Sequence, residues 1–274
     1  MANLTIAELH ALSKAGLATW SSGDFNVIAR SLMPAAEDLI CAADPTPGAR
    51  LLDIACGSGN AALVAARRYC EVAGIDIAEN LIARAHVRAK AEGLRVDFRT
   101  ADAQDLPFAD ASFDVVTSAF GIMFAPDQPA AAAEALRVCR PGGRLALANW
   151  VPEGFARDFF GAHAKHAPPP EAAPSPLVWG TEEGVVALLG DGTSSLDCRR
   201  LSTVLYYRSV DHMLETNARH FGPTIRALDR VGPDGAEALV EDIATVLHRH
   251  NRAKDGTLAL QADYLQVMAT RAPS

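Results

Sequence analysis

An α/β fold with a doubly wound, mostly parallel sheet is predicted by two features of this 274-residue sequence. Between residues 50 and 150, apolar runs of strand length alternate with stretches whose apolar residues recur at helical spacing. Strands that alternate with helices pair in parallel through right-handed crossovers. The second feature is a glycine-rich turn, Gly57-Ser58-Gly59, directly after the first strand-like run.

Each element can be justified in order. Residues 50–55 (RLLDIA) form a short apolar run suited to a buried strand. Residues 60–68 read as a helix and 71–76 (EVAGID) as a second strand. In 78–92, Ala78, Leu81, Ile82, Ala85 and Ala89 share one helical face, with Gly93 at the C-terminal cap position. Strands follow at 94–100 and 113–118 (FDVVTS). An Ala-rich helix at 128–139, ended by Pro141-Gly142-Gly143, leads to a strand at 144–150. In such a sheet ligands bind at the carboxyl ends of the strands. That gathers residues 53–60, Asp76, Asp102 and 118–124 around one crevice.

Beyond residue 150, a helix at 152–167 carries Phe155, Phe159 and Phe160 on one side. The prolines at 168–170, 174 and 176 mark an extended loop. A strand is expected at 196–208 and another at 257–269. Between them, residues 210–250 read as two or three helices broken at Gly222-Pro223 and Gly232-Pro233. This stretch is too long for an ordinary connection. The chain is therefore read as one domain: a helical cap at 1–46, a core at 47–150, connecting helices and a strand at 151–208, a cap insertion at 209–253 and a last strand at 254–274.

Composition narrows the function classes. There are 25 Lys and Arg against 33 Asp and Glu, for a net charge of −8. That balance argues against nucleic acid, which needs clustered cations on phosphates. No run approaches the roughly 20 apolar residues that span a bilayer, and the N-terminus lacks the basic lead and apolar run of a secretory signal. The five cysteines include no C-x-x-C pair, which fits free thiols in the cytoplasm. The eight histidines show no metal-ligand spacing, so no metal is expected. A monomer or homodimer acting on a small molecule is the expected form.

The chemistry concentrates in residues 51–60, LLDIACGSGN. Gly57 and Gly59 permit a tight turn with bare backbone facing a ligand. The pattern also fits a dinucleotide fingerprint, with Asp76 placed 19 residues after Gly57. Asp53 tips the balance. A carboxylate just before the turn repels pyrophosphate but suits a ligand with ammonium and sulfonium charges. Asp76 can accept from two ribose hydroxyls, or it can pair with Glu79 in a helix-capping box. Asp102 can accept from an adenine amino group, or serve as a plain turn residue.

These segments, with GID (74–76), ADAQDLPFADASFDVV (101–116) and LRVCRPGGRLALANW (136–150), resemble the class I S-adenosylmethionine-dependent methyltransferases. The resemblance is to their small-molecule branch, which includes the ubiquinone and menaquinone enzymes, and it covers about half the chain. It implies a Rossmann-like seven-stranded sheet whose seventh strand is antiparallel, with helical cap segments. It also implies S-adenosyl-L-methionine bound by Asp53, Ala55, Gly57, Gly59, Asp76, Ile77, Asp102 and Ala103, with the methionine end held by the backbone around Ser118 and Ala119. No Asn/Asp-Pro-Pro-Tyr motif follows the fourth strand, which disfavours planar amide or adenine acceptors.

An apolar acceptor pocket is expected from Trp20, Phe120, Phe124 and Trp150. Met213, Asn217, His220 and Phe221 share a helical face by their spacing. Asn217 is therefore assigned to the acceptor and His220 to orienting or deprotonating it. His163, His166 and His212 are the other candidate bases. The rivals are an NAD(P)-dependent oxidoreductase, a non-catalytic S-adenosylmethionine-binding protein, and a methyltransferase acting on protein or RNA.

Overall fold

Strand β1 (Arg50–Ile54) is buried along its whole length except at Arg50, as a central strand covered on both faces must be. It pairs in parallel with β2 (Glu71–Asp76) on one side and β4 (Phe113–Ala119) on the other. Around this pair, β3 (Val96–Thr100), β5 (Cys139–Trp150), β6 (Thr193–Tyr207) and β7 (Leu258–Arg271) complete a seven-stranded sheet ordered β3-β2-β1-β4-β5-β7-β6. β7 runs antiparallel to both neighbours. The computed structural model describes residues 4–273.

The order reverses between β1 and β4, and with it the direction of the crossovers. Helices α4 (Asn60–Arg67) and α5 (Glu79–Ala91) link β1 to β2 and β2 to β3, while α6 (Gln128–Val138) links β4 to β5. Right-handed crossovers of opposite direction place α4 and α5 on one face and α6 on the other. α4 is almost entirely small and apolar, with every residue from Asn60 to Ala66 buried. It packs on the sheet beside α3 (Met33–Ala43), which buries Ala35, Ala36, Leu39, Ile40 and Ala43. The crevice opens at the reversal point, where β1 and β4 end side by side.

Over that crevice lie α1 (Ile6–Trp20), α2 (Asn26–Ala29), α7 (Gly154–His166) and α9 (Val210–His220), while α10 (Gly222–His250) packs against α7, α9 and α1 and does not line it. The breaks expected at Gly222-Pro223 and Gly232-Pro233 are both present: α9 ends before Gly222, and α10 kinks at Gly232 (φ 66°, ψ −174°). The αL residue Gly93 closes α5, with the Leu94 amide returning to the Ala89 carbonyl at 2.9 Å.

Three expectations are corrected, and one helix is added. Residues 1–46 are not all cap, because α3 packs on the sheet beside α4. The strand after α6 starts at Cys139 rather than 144, because Cys139 already pairs with Phe113 and a bulge absorbs the Pro-Gly-Gly segment. β3 starts at Val96, two residues late. Helix α8 (Glu182–Leu189) was not foreseen. Its signals were a Thr181 cap, two glutamates in the first turn, and Val185 and Leu189 four apart. No helix among the described residues is long and apolar enough to cross a membrane.

Candidate active site

The carboxyl ends of β1, β2 and β4 meet at one cavity of about 510 Å³. Asp53, late in β1, is 1% exposed. Its Oδ2 accepts the Ala62 amide at 2.9 Å, while Oδ1 is buried without a partner. Burial pushes its carboxyl up to about 7. The Ala62 amide pulls against that shift, and the charge of Asp76 adds to it. A buried carboxylate with an orphaned oxygen on a cavity wall is costly unless a cation meets it.

Asp76 ends β2. Its Oδ2 accepts the Gly57 amide at 2.8 Å and its Oδ1 the Ala78 amide at 2.9 Å. Burial raises its pKa, opposed by the Ala78, Gly57 and Ile77 amides. The alternative role in a capping box with Glu79 is absent: α5 begins after Ala78, and no side chain caps it. Asp76 instead holds the glycine turn against the end of β2. Gly59 adopts φ 87°, and the Phe98 ring lies 2.9 Å from where a Cβ would stand. Gly59 thus shapes the turn from behind and is not part of the cavity wall, contrary to its assignment as a ligand contact.

A polar network stiffens the same turn. Arg88 Nη1 donates to the Ser58 carbonyl (2.8 Å), Ser58 Oγ (3.0 Å) and Asn60 Oδ1 (2.8 Å). Asn60 Nδ2 in turn donates to the Ala29 carbonyl at 2.7 Å, tying the turn to α2. On the next loop, both Asp102 oxygens accept from Gln104 Nε2 at 2.9 and 3.0 Å, and Oδ1 also accepts the Gln104 amide. Asp102 and Ala103 line the cavity. Ser118 does not, and its assignment is corrected. Its Oγ donates to the Ile54 carbonyl at 2.7 Å and accepts the Ile122 amide at 3.0 Å, pinning β4 to β1. The neighbouring Ala119 is the wall residue.

Past this charged end the cavity becomes a chamber of rings. Phe120, held at φ 62°, stacks on Trp150 with centroids 3.9 Å apart. Trp20 meets Phe25 edge-on and leans on Phe124. Of the chain's ten Phe, four Tyr and three Trp, seven Phe, Tyr207, Trp20 and Trp150 line this cavity. Phe25, Tyr207 and the α7 phenylalanines were missed as site residues. The Phe155, Phe159, Phe160 stripe was visible in the sequence, but nothing local said that it faces the crevice.

Of the α9 face, Met213, Asn217 and Phe221 line the chamber and His220 does not. His220 closes the helix, where its backbone packs against Gly23. The proposed base is therefore withdrawn. None of the other three histidines reaches the cavity either. His163 is buried between the Phe159 carbonyl and the Thr224 hydroxyl, each at 2.8 Å, and burial lowers its pKa. His166 pairs with Asp242. The Arg208 amide donates to His212 Nδ1 at 3.3 Å.

The comparisons with known proteins agree with this geometry. A family described as "Methyltransferase domain" matches residues 52–147. The uncharacterised protein Rv1405c of Mycobacterium tuberculosis (strain ATCC 25618 / H37Rv) is 37% identical over 257 residues, covering 93% of each chain. Nocamycin O-methyltransferase of Saccharothrix syringae is 37% identical over 161 residues, 57% of this chain and 58% of that protein. The chain belongs to the class I S-adenosylmethionine-dependent methyltransferases. A solved methyltransferase of Haemonchus contortus, phosphoethanolamine N-methyltransferase 2 with S-adenosyl-L-methionine, shares the fold at a TM-score of 0.57 and 19% identity, over 88% of this chain and 53% of that one.

As a methyltransferase the chain takes S-adenosylmethionine as cofactor, which sets aside the dinucleotide alternative. The residues fit that cofactor. The orphaned Asp53 oxygen answers an ammonium group, and Asp53, Ala55, Gly57, Asp76, Ile77, Asp102 and Ala103 all lie on the charged wall. Trp20, Phe120, Phe124, Trp150 and Asn217 lie on the ring-lined remainder.

Proposed function

We propose that this methyltransferase methylates a small acceptor with an apolar or aromatic body, held in the ring-lined chamber. One observation carries the reading: a single cavity runs from three aspartates at the strand ends into a wall of aromatic side chains. Asp53 meets the ammonium of the methionyl arm, Asp76 the ribose hydroxyls, and Asp102 with the Ala103 amide the adenine. When bound, the cofactor supplies an electrophilic methyl group on a sulfonium. The protein's task is then alignment and exclusion of water. The Phe120–Trp150 stack, at the junction of the two compartments, sets the plane against which an acceptor lies. The cap helices α1, α2, α7 and α9 shut the acceptor away from solvent. A relative named for the O-methylation of nocamycin supports a small-molecule acceptor.

The test is a panel of ring-bearing acceptors incubated with S-adenosylmethionine, with S-adenosylhomocysteine release as readout. Release with flat aromatic acceptors and none with short peptides or RNA is expected. Release only with peptides or RNA would refute the reading.

A further inference from the structure

The chamber's polar inventory says how the acceptor must arrive. Among the described residues, the charged side chains lining the whole cavity are Asp53, Asp76, Asp102 and Lys14. The three aspartates sit on the cofactor wall, and Lys14 is exposed at the rim. No histidine, glutamate or arginine among the described residues lines it. What the acceptor compartment offers instead is uncharged donors. Asn217, 3% exposed, lines the chamber from α9, and its side-chain amide makes no hydrogen bond to the described residues. Tyr207 lines it from the end of β6. Burial pushes the Tyr207 hydroxyl above the ordinary tyrosine range, against smaller pulls from its hydrogen bond with Ser31 and the charge of Arg30, so it stays protonated, and an entering anion competes with Ser31 for that proton.

With the three aspartates engaged on the cofactor wall, the acceptor compartment has donors and no base of its own to take a proton from a neutral alcohol, a phenol or an alkylammonium. It can hold an anion. We propose that the acceptor enters as a preformed oxygen anion, a carboxylate or acidic enolate on an apolar ring skeleton, held by the Tyr207 hydroxyl and the Asn217 amide. The inference rests on the function proposed above. A lone pair of the anionic oxygen forms the new O–C bond to the methyl carbon. The C–S bond breaks, and its electron pair goes to sulfur, which leaves as a neutral thioether. The negative charge on oxygen and the positive charge on sulfur cancel, and no proton moves. An apolar wall favours such a step, because opposite charges attract strongly at low dielectric and both lose their hydration before they meet. The same wall disfavours a neutral acceptor, whose methylated oxygen would carry a positive charge with no base at hand.

A matched pair on one skeleton tests this: 2-naphthoate, an anion at pH 7, and 2-naphthol, neutral at that pH. Calorimetry is run on protein loaded with S-adenosylhomocysteine. We expect 2-naphthoate to bind at least about tenfold more tightly than 2-naphthol, and Tyr207→Phe and Asn217→Leu each to weaken 2-naphthoate about tenfold, the size of one charge-assisted hydrogen bond. Neither change should alter 2-naphthol binding. Asn217→Asp, close in size, should repel 2-naphthoate and spare 2-naphthol, and melting curves confirm that each variant is folded. With S-adenosylmethionine, the methyl ester of 2-naphthoate should form. Equal binding of the pair, binding of neither, faster methylation of 2-naphthol, or folded variants with undiminished 2-naphthoate affinity would each overturn the proposal. The loading step separates the layers: failure of S-adenosylhomocysteine to bind strikes the cofactor reading beneath.

Discussion

At the scale of residues, Asp53 sets the character of the site. Its carboxyl is held near 7 by burial, well above the roughly 3.9 of an unfolded aspartate. Between those values the folded protein keeps a proton that the unfolded chain has lost. Stability from this group is therefore fully present below about pH 4 and is lost as pH rises toward 7. Without ligand, Asp53→Asn should be more stable than wild type at pH 8 by roughly 2–4 kcal/mol, and the gap should close by pH 4 in thermal or urea melts. The same variant should bind S-adenosylmethionine far more weakly, since the ammonium loses its counter-charge. A variant that is less stable at pH 8, or that binds the cofactor normally, contradicts this role. The sequence made Asp53, Asp76 and Asp102 legible, because strand-end carboxylates beside a glycine turn carry their meaning locally. It misassigned Ser118 and Gly59 for the same local reason. Both sit in the right motif, but one side chain turns back to the Ile54 carbonyl, and the other position faces Phe98.

At the scale of elements, the link that matters joins the cofactor turn to the cap. Asn60, the first residue of α4, bonds the Ala29 carbonyl at the end of α2 and accepts from Arg88. Phe25, Ile28 and Ala29 on that segment line the chamber. Asn60→Ala leaves a buried carbonyl unpaired, at a cost of about 1–3 kcal/mol. We expect faster amide exchange across residues 25–32 and a weaker apparent acceptor affinity, with cofactor affinity lowered less. Unchanged exchange in that segment would show that α2 is held by packing alone. No sequence pattern announced this link, since its partners are 31 residues apart and meet only through the fold. The withdrawal of His220 has a similar cause. Helical spacing placed it with Met213 and Asn217, but α9 ends at that residue, and there Phe221 rather than His220 lines the chamber.

At the scale of the whole molecule, the succession of strands and helices and the helix breaks were readable because periodicity and glycine–proline pairs act over short spans. The shape of the cavity was not, because its rings come from α1, α7, β5, β6 and the segments that follow β4 and α9. The central claim is that one cavity holds donor and acceptor end to end, with charge at one end and rings at the other. A crystal structure with S-adenosylhomocysteine tests it most directly. The account predicts the amino group beside Asp53, the ribose at Asp76, the adenine beside Asp102 and Ala103, and the sulfur facing the Phe120–Trp150 stack. A nucleoside lodged among the rings, or an amino group away from Asp53, would contradict it.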